Sequence, residues 1–157
     1  MNWTITPLAY TYILAVTLFV GKIVTFSFLV APLVHVILGR EDAAKLLRVF
    51  FPRYYKFGIG CAIVALLSGM LFAYSASMGR IYQWLIFWGL ALIIEVFSLQ
   101  VLVPILESTR EARNNGEVEA TRKFEWAHKT SVYLNAINLL IGLVLVWFYL
   151  GGTRAGL

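Results

Sequence analysis

Residues 6–38 read TPLAYTYILAVTLFVGKIVTFSFLVAPLVHVIL, and this stretch decides what kind of fold the chain can have. It contains a single charged side chain, Lys22, and it is longer than the roughly 20 apolar residues that cross a bilayer as a helix. Lipid offers no partner to backbone N–H and C=O groups, so a stretch inside it must be helical, because a helix satisfies those groups internally. The sequence therefore predicts a first transmembrane helix here.

Three further apolar stretches repeat the pattern. The whole chain agrees, since 61% of its 157 residues are hydrophobic and 13% are charged, whereas soluble domains average about 45–50% and about 25%. With the first span at about 7–38, the others are expected at about 57–78, 81–106 and 126–150. We predict an all-α fold, an integral membrane four-helix bundle that forms a single domain.

Two polar linkers between the predicted spans have patterns of their own. The first, EDAAKLLRVFFPRYYK at residues 41–56, has apolar pairs separated by Lys45 and Arg48. That pattern predicts a short amphipathic helix lying in the headgroup layer between the first two spans. The second linker, residues 107–126, mixes both charge signs at helical spacing around an Asn-Asn-Gly turn signal at 114–116. We expect the third and fourth helices to continue through it as a helical hairpin.

The basic residues predict the orientation in the membrane. They concentrate in the two linkers, whereas the opposite side of a four-span chain would carry only Arg80 and Arg154. The positive-inside rule then makes the linker side cytoplasmic. We expect a multi-pass protein of the cell inner membrane with both termini on the outer, periplasmic side. The net charge of +5 fits this topology and an affinity for anionic lipid.

Lys22 and Glu95 are the two charges that lie deepest in the predicted spans. Each falls about midway along its own span, and the first and third spans run in the same direction, so both charges can reach a similar depth. A charge at the bilayer centre costs roughly 2.5–3.5 kcal/mol on insertion scales. We therefore expect Lys22 and Glu95 to form a buried charge pair. It is either a static salt bridge or part of a proton or ion relay.

The first span also contains Pro32. Proline removes one backbone donor from a helix and clashes with the carbonyl four residues earlier. We therefore expect a kink near Phe28, which would tilt the end of the span relative to Lys22.

A polar stripe follows the predicted fourth span. Its members recur at steps of three or four residues and therefore share one helical face: His128, Ser131, Asn135, Asn138 and Gly142. Asparagine inside lipid needs hydrogen-bond partners, so this face is expected to point into the bundle. The stripe either joins helices by hydrogen bonds or forms a site for a ligand or ion.

The two histidines of the chain are expected at one depth. His35 ends the first span and His128 begins the fourth, and both ends lie on the predicted cytoplasmic side. Interfacial hydrogen bonding is one interpretation, and ligation of haem b or a metal between two helices is the alternative. The sequence contains no nucleophilic triad, phosphate-binding glycine loop or Cys/His zinc cluster. It therefore favours a protein that is not an enzyme.

A resemblance to a known family rests on three blocks of sequence: FSFLVAP at 26–32, FPRYY at 51–55 and HKTSVYLNAINLLIGL at 128–143. They resemble the small four-helix membrane proteins grouped as domain of unknown function 4149, relatives of transmembrane protein 205. The similarity covers nearly the whole chain, although Lys22 and His35 stand where that pattern usually has apolar residues. It implies roles for Phe26, Ala31, Pro32, Pro52, Tyr54, Tyr55, His128, Ser131 and Asn135.

These observations define two hypotheses of function. The first is a non-enzymatic multi-pass membrane protein that binds a small ligand or metal within the bundle or acts as an accessory subunit of a membrane complex. The alternative is a b-haem-binding redox protein of the membrane, since the layout is also similar to HemJ-type haem-synthesis oxidases and CopD-type copper proteins. A Soret absorbance band would favour the alternative. The expected partners are the lipid bilayer and either other membrane subunits or a homo-oligomer; nothing in the sequence favours nucleic acid.

Overall fold

The protein is built from helices that follow one another with very short connections. The structure, a computed structural model, describes residues 5–75 and 81–154. It contains α1 (Ile5–Thr25), a first π-helical turn (Phe26–Val30), α2 (Ala31–Ile37), α3 (Arg40–Ser75), α4 (Ile81–Phe97), a second π-helical turn (Ser98–Leu102), α5 (Val103–Asn114) and α6 (Val118–Arg154). These ranges contain no strand, and the predicted all-α class is confirmed.

Four continuous helical rods have the length and composition of membrane spans. They are Pro7–Val34, Glu41–Tyr74, Tyr82–Asn114 and Val118–Tyr149, and we call them the first to fourth spans. Their outer faces expose large apolar side chains such as Leu71, Ile93 and Trp147, whereas Glu95 and Asn138 are buried between the helices. An apolar exterior around a partly polar interior is the arrangement that suits lipid as a solvent. The prediction of a four-helix membrane protein is therefore confirmed.

The segment 41–56 is helical, but it is not a separate element. It forms the beginning of α3, which runs from Arg40 to Ser75 as one helix with Pro52 inside it. The chain turns earlier, at Leu38, where the backbone is extended (φ −99°, ψ 136°). No glycine or asparagine occurs between Gly39 and Phe57 to end the helix, and this explains why the amphipathic segment and the second span are continuous.

The third and fourth spans are joined by a tight helical hairpin. Gly116 adopts a positive φ of 85° just after the end of α5. The N–H of Glu117 donates to the carbonyl of Ala112, and the N–H of Gly116 donates to that of Arg113, both at 3.0 Å. This pair of bonds is a Schellman motif, in which glycine fits the left-handed position because it has no Cβ. The Asn-Asn-Gly signal in the sequence thus marks the turn.

Small residues let the helices approach closely. One face of α3 consists of Gly58, Ala62, Ala65, Gly69 and Ala73, all of them buried; Ala76, which continues the spacing, lies outside the described residues. Such a face allows neighbouring helix backbones to come near. At Gly69, an added Cβ would lie 3.0 Å from Trp84 and 3.1 Å from Tyr12. The α3 face is therefore in direct contact with α1 and α4.

The first and fourth spans pack together along only part of their length. α1 packs against α6, whereas among the described elements α2 contacts only the first π-helical turn and α3. At the end of the bundle that holds α2, the start of α3 and the α5–α6 hairpin, the first span therefore diverges from the fourth. We call this the basic end, because it carries Arg48, Arg110 and Arg113.

The orientation of the bundle can be tested by labelling single cysteines on a background lacking Cys61. If the basic end is cytoplasmic, a cysteine at Asn115 should be protected in intact cells from an impermeant thiol reagent, and a cysteine at Thr153 should be modified. Mass spectrometry of the purified variants measures both. Modification at position 115 with protection at 153 would mean that the topology is inverted.

Candidate functional site

Lys22 and Glu95 meet in the centre of the bundle. Lys22 reaches across from α1, and its Nζ lies 2.7 Å from each carboxylate oxygen of Glu95 on α4. The two side chains are 5% and 0% exposed. The structure thus places in contact the two charges that were predicted to pair because they lie at a similar depth in the membrane. A pair this dry is stable only if its remaining polar atoms also have partners.

Three other side chains complete the surroundings of this charge pair. Asn138 of α6 donates from Nδ2 to Oε1 of Glu95 at 2.9 Å. The Lys22 ammonium lies 4.1 Å from the ring centroid of Tyr54 and 5.1 Å from that of Phe19, within the range of cation–π attraction. Each charge therefore has a counter-charge and further favourable contacts, two aromatic rings for Lys22 and one amide for Glu95. Side chains from four helices, α1, α3, α4 and α6, converge at this single point.

Gly58 provides the space for the charge pair. It lies on α3 one turn beyond Tyr54 and faces the pair directly. A Cβ built at Gly58 would overlap both Nζ of Lys22 and the carboxylate of Glu95. This role of Gly58 was not predicted from the sequence. Its position four residues after Tyr54 was the available signal, because this spacing puts both residues on one helical face.

The polar stripe of α6 is divided between two environments. Asn138 is buried beside Glu95, and its Oδ1 has no hydrogen-bond partner in the described part of the chain. One turn away, Asn135 accepts a hydrogen bond at 3.2 Å from the Tyr54 hydroxyl. Ser131 is buried and donates to the backbone carbonyl of His128 at 2.7 Å. The His128 side chain is exposed, and its ring stacks on that of Phe124 with the ring centroids 6.4 Å apart.

A large cleft opens at the basic end, where α2 diverges from α6. Its volume is about 1110 Å³. The lining comes from the first span, the start of α3, α5 and α6: Ile23, Phe26, Ser27, Phe28, Ala31, Val34, Leu38, Ala43, Ala44, Leu47, Phe51, Leu106, Arg110, Arg113, Thr121, Phe124, His128, Ser131, Val132, Asn135, Ala136 and Leu139. Most of these side chains are apolar, and the two charged ones, Arg110 and Arg113, lie at the basic end.

The cleft is long enough for a lipid-sized molecule. Both Thr121 and Leu139 of α6 line it, and 18 residues of α-helix rise about 27 Å. One leaflet with its headgroup region is about 20–22 Å thick. Arg110, Arg113 and His128 lie toward the mouth, whereas Ile23 and Leu139 lie at the inner end beside the charge pair. The cleft therefore changes from cationic to apolar along its length.

Arg110 is the most enclosed charge at the mouth of the cleft. Its residue is 9% exposed, and one amino group donates to the backbone carbonyl of Ala44. The other amino group lies 3.1 Å from Glu107, which also pairs with Arg48. The Nε–H of Arg110 is buried and has no hydrogen-bond partner among residues 5–75 and 81–154. This three-residue network and the cleft itself were not foreseen from the sequence.

Two further predicted site residues, His35 and Pro32, belong to α2. The backbone of His35 belongs to α2, but its side chain lies outside the described part of the structure, so its relation to His128 stays a prediction. No group of three or more metal-ligating His, Cys, Asp or Glu side chains occurs among the described residues. Pro32 is the second residue after the first π-helical turn, and this turn contains Phe28, near which the kink is expected; the bend itself stays a prediction.

The fold and site together define a class: a small all-α protein with four membrane-length helices, a buried Lys–Glu pair and an amphipathic cleft. A search against protein families adds a more particular assignment. The family described as "Domain of unknown function (DUF4149)" matches residues 14–115, which is more than half of the chain. The chain belongs to this family. No curated protein and no solved structure matches it with significance.

Proposed function

We propose that this protein is a non-enzymatic multi-pass membrane protein that binds a small amphipathic molecule in the cleft between its first and fourth spans. The cleft itself carries the proposal. Ligand sites in proteins are typically about 300–1,000 Å³ in volume and mostly apolar, with a few convergent polar groups. This cleft, at about 1110 Å³, is slightly larger than that range, and its lining is likewise mostly apolar with a few polar groups.

The residues to which the family resemblance assigns roles support this location. Five of them line the cleft: Phe26, Ala31, His128, Ser131 and Asn135. Tyr54, a sixth, borders it by its hydrogen bond to Asn135 and its ring contact with Phe26, at 5.3 Å between centroids. Residues in three separate blocks of the sequence are therefore gathered around one cavity.

The charge pair has a structural role in this proposal. Ile23 lines the inner end of the cleft and is the neighbour of Lys22 in the chain. By joining α1 to α4, the salt bridge fixes the point from which the first span diverges, and Asn138 adds α6 to the same centre. A dry centre of this kind keeps the inner end of the cleft rigid while its mouth stays open.

A tryptophan placed in the cleft should prevent binding. Val132 lines the cleft and is 54% exposed, so Val132→Trp adds bulk without displacing a buried side chain. A neutral monoacylglycerol carrying a diazirine is the probe, and peptide mass spectrometry locates its photoproducts. We expect labelling of the cleft to fall roughly tenfold, the equivalent of about 1.4 kcal/mol.

Leu140→Trp is the matched control for this experiment. Leu140 is on the same helix and 62% exposed, but it does not line the cleft. Its replacement should leave the labelling of the cleft unchanged. Equal labelling of wild type and Val132→Trp would show that the cleft does not bind the probe, and would contradict the proposed function.

A further inference from the structure

The mouth of the cleft is lined by cationic side chains. The described residues that line the cleft include two arginines and one histidine. No acidic residue occurs among these lining residues. Glu107, the carboxylate nearest to Arg110, is shared between that residue and Arg48. One carboxylate thus serves two guanidinium groups. The charged side chains that line the mouth, Arg110 and Arg113, are both cationic.

The geometry of Arg110 indicates what is bound there. Its guanidinium is held by the Ala44 carbonyl and Glu107, yet its Nε–H is buried without a partner in the described ranges. A buried cationic donor without an acceptor is strongly unfavourable. A phosphate oxygen at this position would supply the missing acceptor, because guanidinium groups bind phosphate through charge-assisted hydrogen bonds.

We infer that the occupant of the cleft is an anionic phospholipid, with its phosphate at Arg110 and Arg113 and an acyl chain extending toward Ile23 and Leu139. This inference rests on the proposed function and adds the chemical class of the ligand. The apolar inner end and the length of about 27 Å argue for a lipid and against a free anion, which would leave that apolar surface uncovered. The lipid comes from the leaflet at the basic end, where anionic lipids also attract basic side chains.

Three photoreactive lipids with the same acyl chain test the inference in nanodiscs. They are phosphatidic acid, phosphatidylcholine and diacylglycerol, each present at the same low fraction in a phosphatidylcholine bilayer. Peptide mass spectrometry compares photoproducts on cleft residues with those on the lipid-facing surface. Phosphatidic acid should label the cleft about tenfold more than either other lipid, with equal labelling of the outer face.

Three substitutions test the role of charge at the mouth. Arg110→Gln should abolish the preference for phosphatidic acid. Glu107→Gln should increase it, because it removes the carboxylate that competes for Arg110 and Arg48. Arg122→Gln, whose side chain is 80% exposed on the same end of the bundle, removes the same charge outside the cleft and should leave the preference unchanged. A gain in Glu107→Gln also separates electrostatic binding from a loss of folding in Arg110→Gln.

The outcomes separate the inference from the proposal beneath it. If all three lipids label the cleft equally, the preference for an anionic headgroup is overturned and the proposed binding in the cleft stands. If none of the lipids labels the cleft while all of them label the outer face, the proposed function is overturned as well. A loss of preference in both Arg110→Gln and Glu107→Gln would also overturn the inference, because removal of either charge would then act only through the local structure.

Discussion

Replacing Lys22 by methionine should destabilise the protein by about 3–5 kcal/mol, the range measured when one partner of a buried ion pair is removed. The Glu95 carboxylate would remain 0% exposed, with Asn138 as its single donor in the described structure. The double change Lys22→Met with Glu95→Gln should cost much less, because both charges are removed together and the new amide still accepts from Asn138. The double variant should therefore be more stable than the single one.

The measurement is thermal unfolding of the purified protein in one detergent, for wild type, both single variants and the double variant. The interaction energy follows from the double-mutant cycle. The expected sign is a large favourable coupling between the two residues. Losses that simply add would show that Lys22 and Glu95 contribute separately, and the structural role of the pair would be refuted.

The second large effect is expected at Gly58. Alanine there would place a methyl group on Nζ of Lys22 and the carboxylate of Glu95, so the pair must separate or α3 must move away from α1 and α4. Overpacking of a close-packed interior costs about 1–3 kcal/mol, and disruption of the ion pair adds to this. We expect Gly58→Ala to lower the thermal midpoint nearly as much as Lys22→Met does.

Gly60→Ala is the control for this prediction. Gly60 lies on the same helix two residues later, and a Cβ there meets nothing within 4 Å. Since alanine favours helix over glycine by about 1 kcal/mol, this change should be neutral or stabilising. If both alanine variants behave alike, the overlap at Gly58 does not determine stability.

Much of this fold could be predicted because a bilayer leaves few choices. Apolar stretches of sufficient length must be helices, and a buried Lys22 needs a counter-charge at its own depth, which Glu95 alone could supply. The turn at Asn114-Asn115-Gly116 could be predicted for a similar reason, because the left-handed backbone position after α5 favours glycine, which the sequence has at 116. In each case, one local requirement had only one available solution.

The cleft could not be predicted in this way. It exists because α2 diverges from α6, and the angle between two helices depends on packing along their whole length rather than on any single stretch. The mouth depends on Arg48, Glu107 and Arg110, which come from two linkers whose relative placement is set by that packing. The role of Gly58 likewise depends on which face of α3 meets α4.

The two π-helical turns make the directions of the spans adjustable. In the first turn, the N–H of Ala31 bonds to the carbonyl of Phe26, five residues back, and Val103 bonds to Ser98 in the same way. Each turn thus holds one residue more than an α-helical turn, and each is followed by a proline, Pro32 or Pro104. One residue corresponds to a rotation of about 100° around a helix axis. In the first span, Lys22 can therefore face the bundle centre while Ala31 faces the cleft. The gain or loss of a single residue in such a turn would rotate the end of the span beyond it, while the part of the span before the turn stayed in place.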